Sequence, residues 1–201
     1  MYNPNQRRTR NAAVVFLHKS TQDAQQNWVT TDSTLSDVTQ SCTTPVISGD
    51  AGYTTYTCTP VDLNEVFYQT TCVVGNGRCD LTPHQVTSGN GALGQNSTVG
   101  GIGGSGRYVT YSTADATVSG INLGYNMVFV YDTCYGASGS CTPQSVPVCL
   151  SAQGAIADSD CTGGQISDDG LYILIYSSAD NLIDGVYGAS YIVSNPLVPV
   201  P

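Results

Sequence analysis

Gly164-Gln165-Ile166-Ser167-Asp168-Asp169-Gly170-Leu171-Tyr172-Ile173-Leu174-Ile175-Tyr176-Ser177 is the stretch whose reading decides the fold. It reads as a strand, a tight turn on Asp168-Asp169-Gly170, and a second strand of aromatic and β-branched residues. Two earlier stretches repeat it. Pro45-Val46-Ile47-Ser48 leads through Asp50-Ala51-Gly52 into Tyr53-Thr54-Thr55-Tyr56, and Gly101-Ile102 leads through Gly106-Arg107 into Tyr108-Val109-Thr110-Tyr111. The aligned tyrosines Tyr53, Tyr108 and Tyr172 stand 55 and 64 residues apart. Recurrence at such a spacing marks a repeat architecture, so the hairpin is a unit the chain reuses.

Working outward, strands are expected over 11–19, 27–31, 43–48, 53–58, 65–71, 84–87, 99–103, 107–113, 127–132, 144–150, 164–167, 171–177 and 190–194. No window holds a 3.6-residue apolar period, so little helix is expected. The stretch 88–106 is rich in glycine and reads as a loop followed by a weak strand. The domain plan is a basic arm over 1–10, a repeat domain over 11–194 and a proline-rich tail over 195–201. Its units run about 11–41 (partial), 42–98, 99–162 and 163–194 (partial). Three prolines in the last six residues keep the tail out of any central strand.

Lined up, Val128-Phe129-Val130-Tyr131-Asp132-Thr133-Cys134 matches Val66-Phe67-Tyr68-Gln69-Thr70-Thr71-Cys72, and Val14-Val15-Phe16-Leu17-His18-Lys19-Ser20 matches it more loosely. These runs, with Asp169-Gly170-Leu171-Tyr172 through Ser177-Ser178-Ala179-Asp180-Asn181-Leu182, resemble the TolB-like β-propeller repeat of bacterial secreted proteins. The loop from Cys134 to Pro143 resembles a cysteine-bridged insertion of some such repeats. The resemblance covers 42–194 and implies an all-β fold of four-stranded antiparallel propeller-type blades. It carries no catalytic motif across, because that repeat is structural. A closed propeller takes roughly four to eight blades; this chain supplies two complete units and a part of one at each end.

Charge divides the chain. Of six cationic residues four, Arg7, Arg8, Arg10 and Lys19, lie in the first 19 positions, and all 15 acids follow, for a net charge of −9. An acidic body repels nucleic acid and anionic membrane, which removes both as expected partners. Charged residues make up 10% of the chain, while Gly, Thr and Tyr are plentiful, the profile of an extracellular β-protein. No signal peptide or membrane-spanning stretch is legible, so a mature secreted form, extracellular or on a bacterial cell surface, is the expectation.

Eight cysteines point to disulfides and an oxidising compartment. Cys72/Cys79 and Cys134/Cys141 recur in one slot with the same gap. Cys42 and Cys58 flank the Asp50 turn symmetrically, and Cys149 and Cys161 remain. Four local bridges, 42–58, 72–79, 134–141 and 149–161, are therefore expected. A metal centre would want close cysteine pairs or histidines, and only His18 and His84 exist. The acid pairs Asp158/Asp160, Asp168/Asp169 and Asp180/Asp184 read as turn residues, with a loop calcium site as the lesser alternative. No serine or cysteine shows a base partner in the sequence, so no catalytic residue is expected. Most tyrosines fall on alternating strand positions and read as blade packing before glycan stacking. Asn96-Ser97-Thr98 is a glycosylation-type triplet.

The function expected is a secreted, non-enzymatic, self-assembling module without cofactor or metal, a fibre or surface-assembly subunit joined head to tail by strand complementation. Arg7, Arg8, Arg10, Val14, Val15 and Phe16 at one end, and Tyr191, Ile192 and Val193 at the other, are the expected assembly residues. The alternative is a carbohydrate- or peptide-binding lobe of a larger propeller; a hydrolase using loop acids is a third class.

Overall fold

A computed structural model describes residues 13–36, 40–59, 64–73, 80–87, 96–114, 117–118 and 121–198, and every element in them is a strand or turn. A two-stranded ribbon, β1 (Phe16–Gln22) and β2 (Trp28–Thr34), comes first. Blade 1 follows as β3 (Ser41–Ile47), β4 (Tyr53–Thr59), β5 (Glu65–Thr70) and β6 (His84–Gln85), hydrogen-bonded in that order. Blade 2 holds β7 (Ser97–Ile102), β8 (Tyr108–Thr113), then a short ribbon of β9 (Thr117–Val118) and β10 (Ile121–Asn122), and finally β11 (Met127–Asp132) and β12 (Gln144–Pro147). Its sheet order is β7-β8-β11-β12. Blade 3 is three-stranded: β13 (Cys161–Ile166), β14 (Tyr172–Ser177) and β15 (Ala189–Ser194). All pairings are antiparallel.

The repeated hairpin is one turn built three times. The Ser48, Gly103 and Ser167 amides donate to the Tyr53, Tyr108 and Tyr172 carbonyls, each at 2.9 Å. Ala51, Gly106 and Gly170 take left-handed φ values of 57°, 70° and 74° in the same place. Short polar side chains close the turn locally: Asp50 Oδ1 accepts from the Ser48 hydroxyl at 2.6 Å and the Gly52 amide at 2.8 Å, and Asp169 Oδ1 does likewise for Ser167 and Leu171. One residue past the third strand, the Thr133 hydroxyl and Asn195 Nδ2 donate to the Gly106 and Gly170 carbonyls at 3.0 and 2.8 Å. Each first strand carries a bulge, at Thr44-Pro45, Gly100 and Gly164.

Consecutive blades stack by a common rule. The first strand of one blade packs on the preceding blade, β7 on β4 and β5, β13 on β8 and β11. Two hydrogen bonds repeat at these junctions, from the Ser97 amide to the Asn64 carbonyl (2.9 Å) and from the Cys161 amide to the Asn126 carbonyl (2.8 Å). Tyr53 lies against the turn of blade 2 and Tyr108 against the turn of blade 3. A Cβ at Gly106 would sit 2.4 Å from the Tyr53 ring, and one at Gly170 2.8 Å from the Tyr108 ring. The ring leaves no room for a side chain there, and glycine also adopts the left-handed backbone without strain. One apolar core runs through all three blades, from Tyr53 and Val66 to Ile173 and Leu182.

The same bonds identify the ribbon as the outer half of a further blade. The Leu35 amide donates to the Val15 carbonyl (2.9 Å), as Val86 does to Val66 and Val148 to Val128. The Cys42 amide donates to the Ala13 carbonyl at 2.7 Å, the place of the junction bonds above. β1 is therefore a third strand and β2 a fourth. The sequence alignment set Val14 opposite Val128; the structure sets Val15 there, one residue on. Because side chains alternate across a strand, that step decides the face. Val15 and Leu17 pack with Leu35 against Tyr56 and the Cys42–Cys58 bridge, while Phe16 turns outward. The expected strand at 11–19 is instead Phe16–Gln22, and its partner extends to Thr34.

Candidate functional site

Blade 3 repeats the other blades in backbone but not in cover. Tyr53 and Tyr108 are 4% and 7% exposed; Tyr172, in the same slot, is 51% exposed. Leu174 is exposed where Thr55 and Thr110 are buried. Ile192 is 75% exposed in the slot where Val130 is wholly buried. Cross-strand pairing puts Leu174 opposite Ile192, and Tyr172 and Tyr176 opposite Ser194 and Ser190, so these side chains share one face. It is the face that, on blades 1 and 2, receives the next blade. Tyr187, Ile183 and Val186, in the connection between β14 and β15, are exposed as well. At the other end, Ile47 is exposed while its counterpart Ile102 is buried.

The expected assembly residues divide accordingly. Ile192 is exposed on the open face, and Tyr191 and Val193 point the other way, packed against the core. Phe16 is exposed on the ribbon, Val15 is buried against blade 1, and Val14 precedes β1. Arg7, Arg8 and Arg10 lie outside the described residues.

Three expected disulfides are present, Cys42–Cys58, Cys134–Cys141 and Cys149–Cys161. Cys72 is also disulfide-bonded, and its expected partner Cys79 lies outside the described residues. Cys42 and Cys58 are a direct cross-strand pair, with Cα atoms 4.0 Å apart. Such bridges belong to an oxidising compartment. Among the described residues the one grouping of metal-ligand type is Asp132, Cys134 and Cys141. It is already committed: both sulfurs are bridged, and Asp132 takes two bonds from Arg107, Nε–Oδ1 3.2 Å and Nη2–Oδ2 3.0 Å.

The paired acids separate in space. Asp169 closes its own turn, while Asp168 reaches across to blade 1, its Oδ1 accepting from the Gly49 amide at 3.1 Å. Asp160 Oδ1 accepts from the Asn126 amide at 2.8 Å. Asp158 and Asp180 face each other, and the hydrogen bond between them pushes the Asp180 carboxyl above the usual carboxylate range, with their charge repulsion adding to it. Asp180 and Asp184 border a cleft of about 450 Å³ with Gln153, Asn181 and Ile183. Asn96 is exposed at the entry to β7, and Ser97 beside it is buried.

One constellation escaped the sequence reading. His18 stands opposite Asp32 across the ribbon, its Nδ1 2.6 Å from Oδ1, and the Ser20 hydroxyl lies 3.3 Å from His18 Nε2. The expectation that no serine has a base partner is thus corrected: an i, i+2 step plus a cross-strand pair places the three together. The order is that of a nucleophile, base and orienting acid. All three are exposed on an open two-stranded surface, where water screens the pair and no wall excludes it from a bound substrate. His84 is held differently, stacked on Tyr68 with ring centroids 5.2 Å apart.

No protein-family model matches the chain, and no curated protein matches it. Among solved structures the chain is similar to the crystal structure of TolB from Acinetobacter baumannii, at 13% identity and a TM-score of 0.46, over 82% of this chain and 34% of that one. This chain spans about a third of the length of that structure. The assignment of propeller-type blades stands on the sheet order and the repeated junctions described above. Among the described residues no helix is long and apolar enough to cross a membrane.

Proposed function

We propose that the chain is a structural, self-assembling module of the cell exterior, joined head to tail by strand complementation into a fibre or surface assembly. The observation that carries this reading is the pair of unfinished blades. Among the described strands β15 has no partner on its outer edge and β1 and β2 pair only with each other, and blade 3 presents an exposed apolar face. An isolated two-stranded ribbon is marginal in water, and unpaired edges and open apolar faces invite another chain. Charge points the same way. Four cations and three acids precede residue 41, whereas residues 161–201 carry four aspartates and no cation. The contacting surfaces differ, so the association is heterologous and extends unless its rotation closes a ring.

Size-exclusion chromatography with light scattering, with electron microscopy of the larger species, tests the reading. Concentration-dependent oligomers that weaken as salt rises are expected; a monomer at high concentration and low salt overturns it. The module works without catalysis in this reading. Ester hydrolysis by the pure protein that disappeared in Ser20→Ala would show otherwise. A second reading, a glycan- or peptide-binding lobe, draws support from the exposed Tyr172, Tyr176 and Tyr187; binding on a glycan array that is lost in Tyr176→Ala would favour it.

A further inference from the structure

Head-to-tail completion of a blade meets an arithmetic obstacle, and the obstacle identifies the moving part. The repeated bonds make β1 a third strand, and β15 is also a third strand, since it pairs with β14 as β11 pairs with β8 and β5 with β4. A blade assembled from blade 3 of one copy and the ribbon of another would hold two strands for a single place. We propose that β15 is a stand-in and that β1 of a second copy replaces it by strand exchange. The composite blade then consists of β13 and β14 from one copy and β1 and β2 from the next. The proposal rests on the assembly reading above and specifies its contact.

Three observations select β15 as the strand that yields. The third strand's inward position is Val66 in β5, Val128 in β11 and Val15 immediately before β1, all buried; in β15 it is Ser190, and it is exposed. Two places on, Val130 is wholly buried in blade 2, whereas Ile192 stands in solvent. Among the described residues β15 also carries no fourth strand on its outer edge, whereas β1 brings β2 with it over seven paired residues. Among the described strands β1 in turn has no second strand beside it, and β14 is a second strand. The exchange therefore substitutes a third strand that already carries a fourth, with Val15 at its inward position, for one that carries none among the described residues and has Ser190 there.

Exchange also delivers cover to the open face. The ribbon is already seated on its own blade 1, through Val15, Leu17 and Leu35. Placing it in the composite blade carries that blade 1 to the rear of β14, with the exposed Ile47 approaching Tyr172 and Leu174. This is the site Ile102 occupies against blade 1 within the chain. Lys19 would then pair with Tyr172, beside Asp168 and Asp169, where Ser194 now lies. Blade 1 departs from the internal junctions at Ala51, which puts a methyl where Gly106 and Gly170 leave room for a tyrosine ring, and at Pro45, which stands where blades 2 and 3 have Gly100 and Gly164.

The test uses the full chain and two cysteine pairs. Leu174 and Ile192 are direct cross-strand partners, so Leu174→Cys with Ile192→Cys pins β15 in place as Cys42–Cys58 pins β3 to β4. By the slot equivalence Leu17 of the second copy falls opposite Leu174, so Leu17→Cys with Leu174→Cys links copies. If exchange occurs, the wild type and each single variant associate in light scattering, the pinned protein associates at least ten-fold more weakly, and the second pair yields disulfide-linked oligomers. Association of the pinned protein at wild-type strength overturns exchange and leaves assembly by edge addition standing. Equal loss in the Leu174→Cys or Ile192→Cys single variants overturns it too, assigning the effect to the face. A wild type that is monomeric throughout overturns the assembly reading itself.

Discussion

Blades 2 and 3 share a turn, a bulge and a tyrosine in one slot, yet one is sandwiched and the other is open. Met127, Val128, Phe129 and Val130 run consecutively through β11 with both faces buried, because blade 1 lies on one side and blade 3 on the other. β15 alternates between half-buried and exposed along its whole length. Local sequence makes the hairpin; the neighbour makes the burial. A strand's apolar content therefore does not say whether it is covered, only whether cover would be favourable.

The largest effect expected from this comparison comes from one residue type in two contexts. Tyr108→Ala should destabilise the fold by about 3–5 kcal/mol, as truncation of a buried aromatic does. Tyr172→Ala in the same slot should cost under about 1 kcal/mol at concentrations where the protein is monomeric. Urea denaturation at matched dilution checks both, and equal losses would break the comparison.

Next comes the junction glycine. Gly170→Ala sets a methyl 2.8 Å from the Tyr108 ring at a φ of +74°. A loss of roughly 1–3 kcal/mol is expected from overpacking and the left-handed backbone together. Tyr108→Ala in the same chain should remove the packing part of that loss, which a double-mutant cycle measures.

The smallest effect is nil at neutral pH and emerges only in base. Burial between blades pushes the Tyr68 hydroxyl up to about 12, helped by the negative potential of Tyr131 and Tyr135, and burial pushes Tyr111 up to about 12. Both folded values lie above that of a free tyrosine near 10. The unfolded chain therefore releases these protons first, so the stability they contribute is complete below pH ~10 and is lost as pH rises from there towards 12. Phenolate absorbance should rise in two stages, with Tyr68 and Tyr111 in the later one, together with unfolding. A single stage without unfolding would contradict the packing of Tyr68 and Tyr111.

Much of the fold was legible because it is periodic and local. The hairpin turns announce themselves through Asp, Ser and Gly at fixed offsets from a tyrosine, and each forms the bonds such residues form wherever they stand. Three disulfide pairings were legible, 134–141 from a repeated spacing, 42–58 from symmetry about a turn and 149–161 as the pair that remained. The ribbon was legible as the end of a blade, but its register was not. Val14, Val15 and Phe16 are all apolar, and only the bond from Leu35 to Val15 chooses the inward residue.

By itself the sequence determined the number of repeats, the antiparallel blade, the turn chemistry, the separation of cations from acids and the pairing of most cysteines. All of these depend on neighbours within one hairpin or on composition alone. Only the tertiary structure decided which tyrosine is buried, that Gly106 and Gly170 make room for rings from the blade before, that Asp168 bridges to blade 1, and that Ser20, His18 and Asp32 meet. Each of these depends on residues of other strands, many of them 50 or more positions away, which chain order does not announce. That β1 and β15 are both third strands is of the same kind. It emerges once the repeated hydrogen bonds assign both strands to one slot.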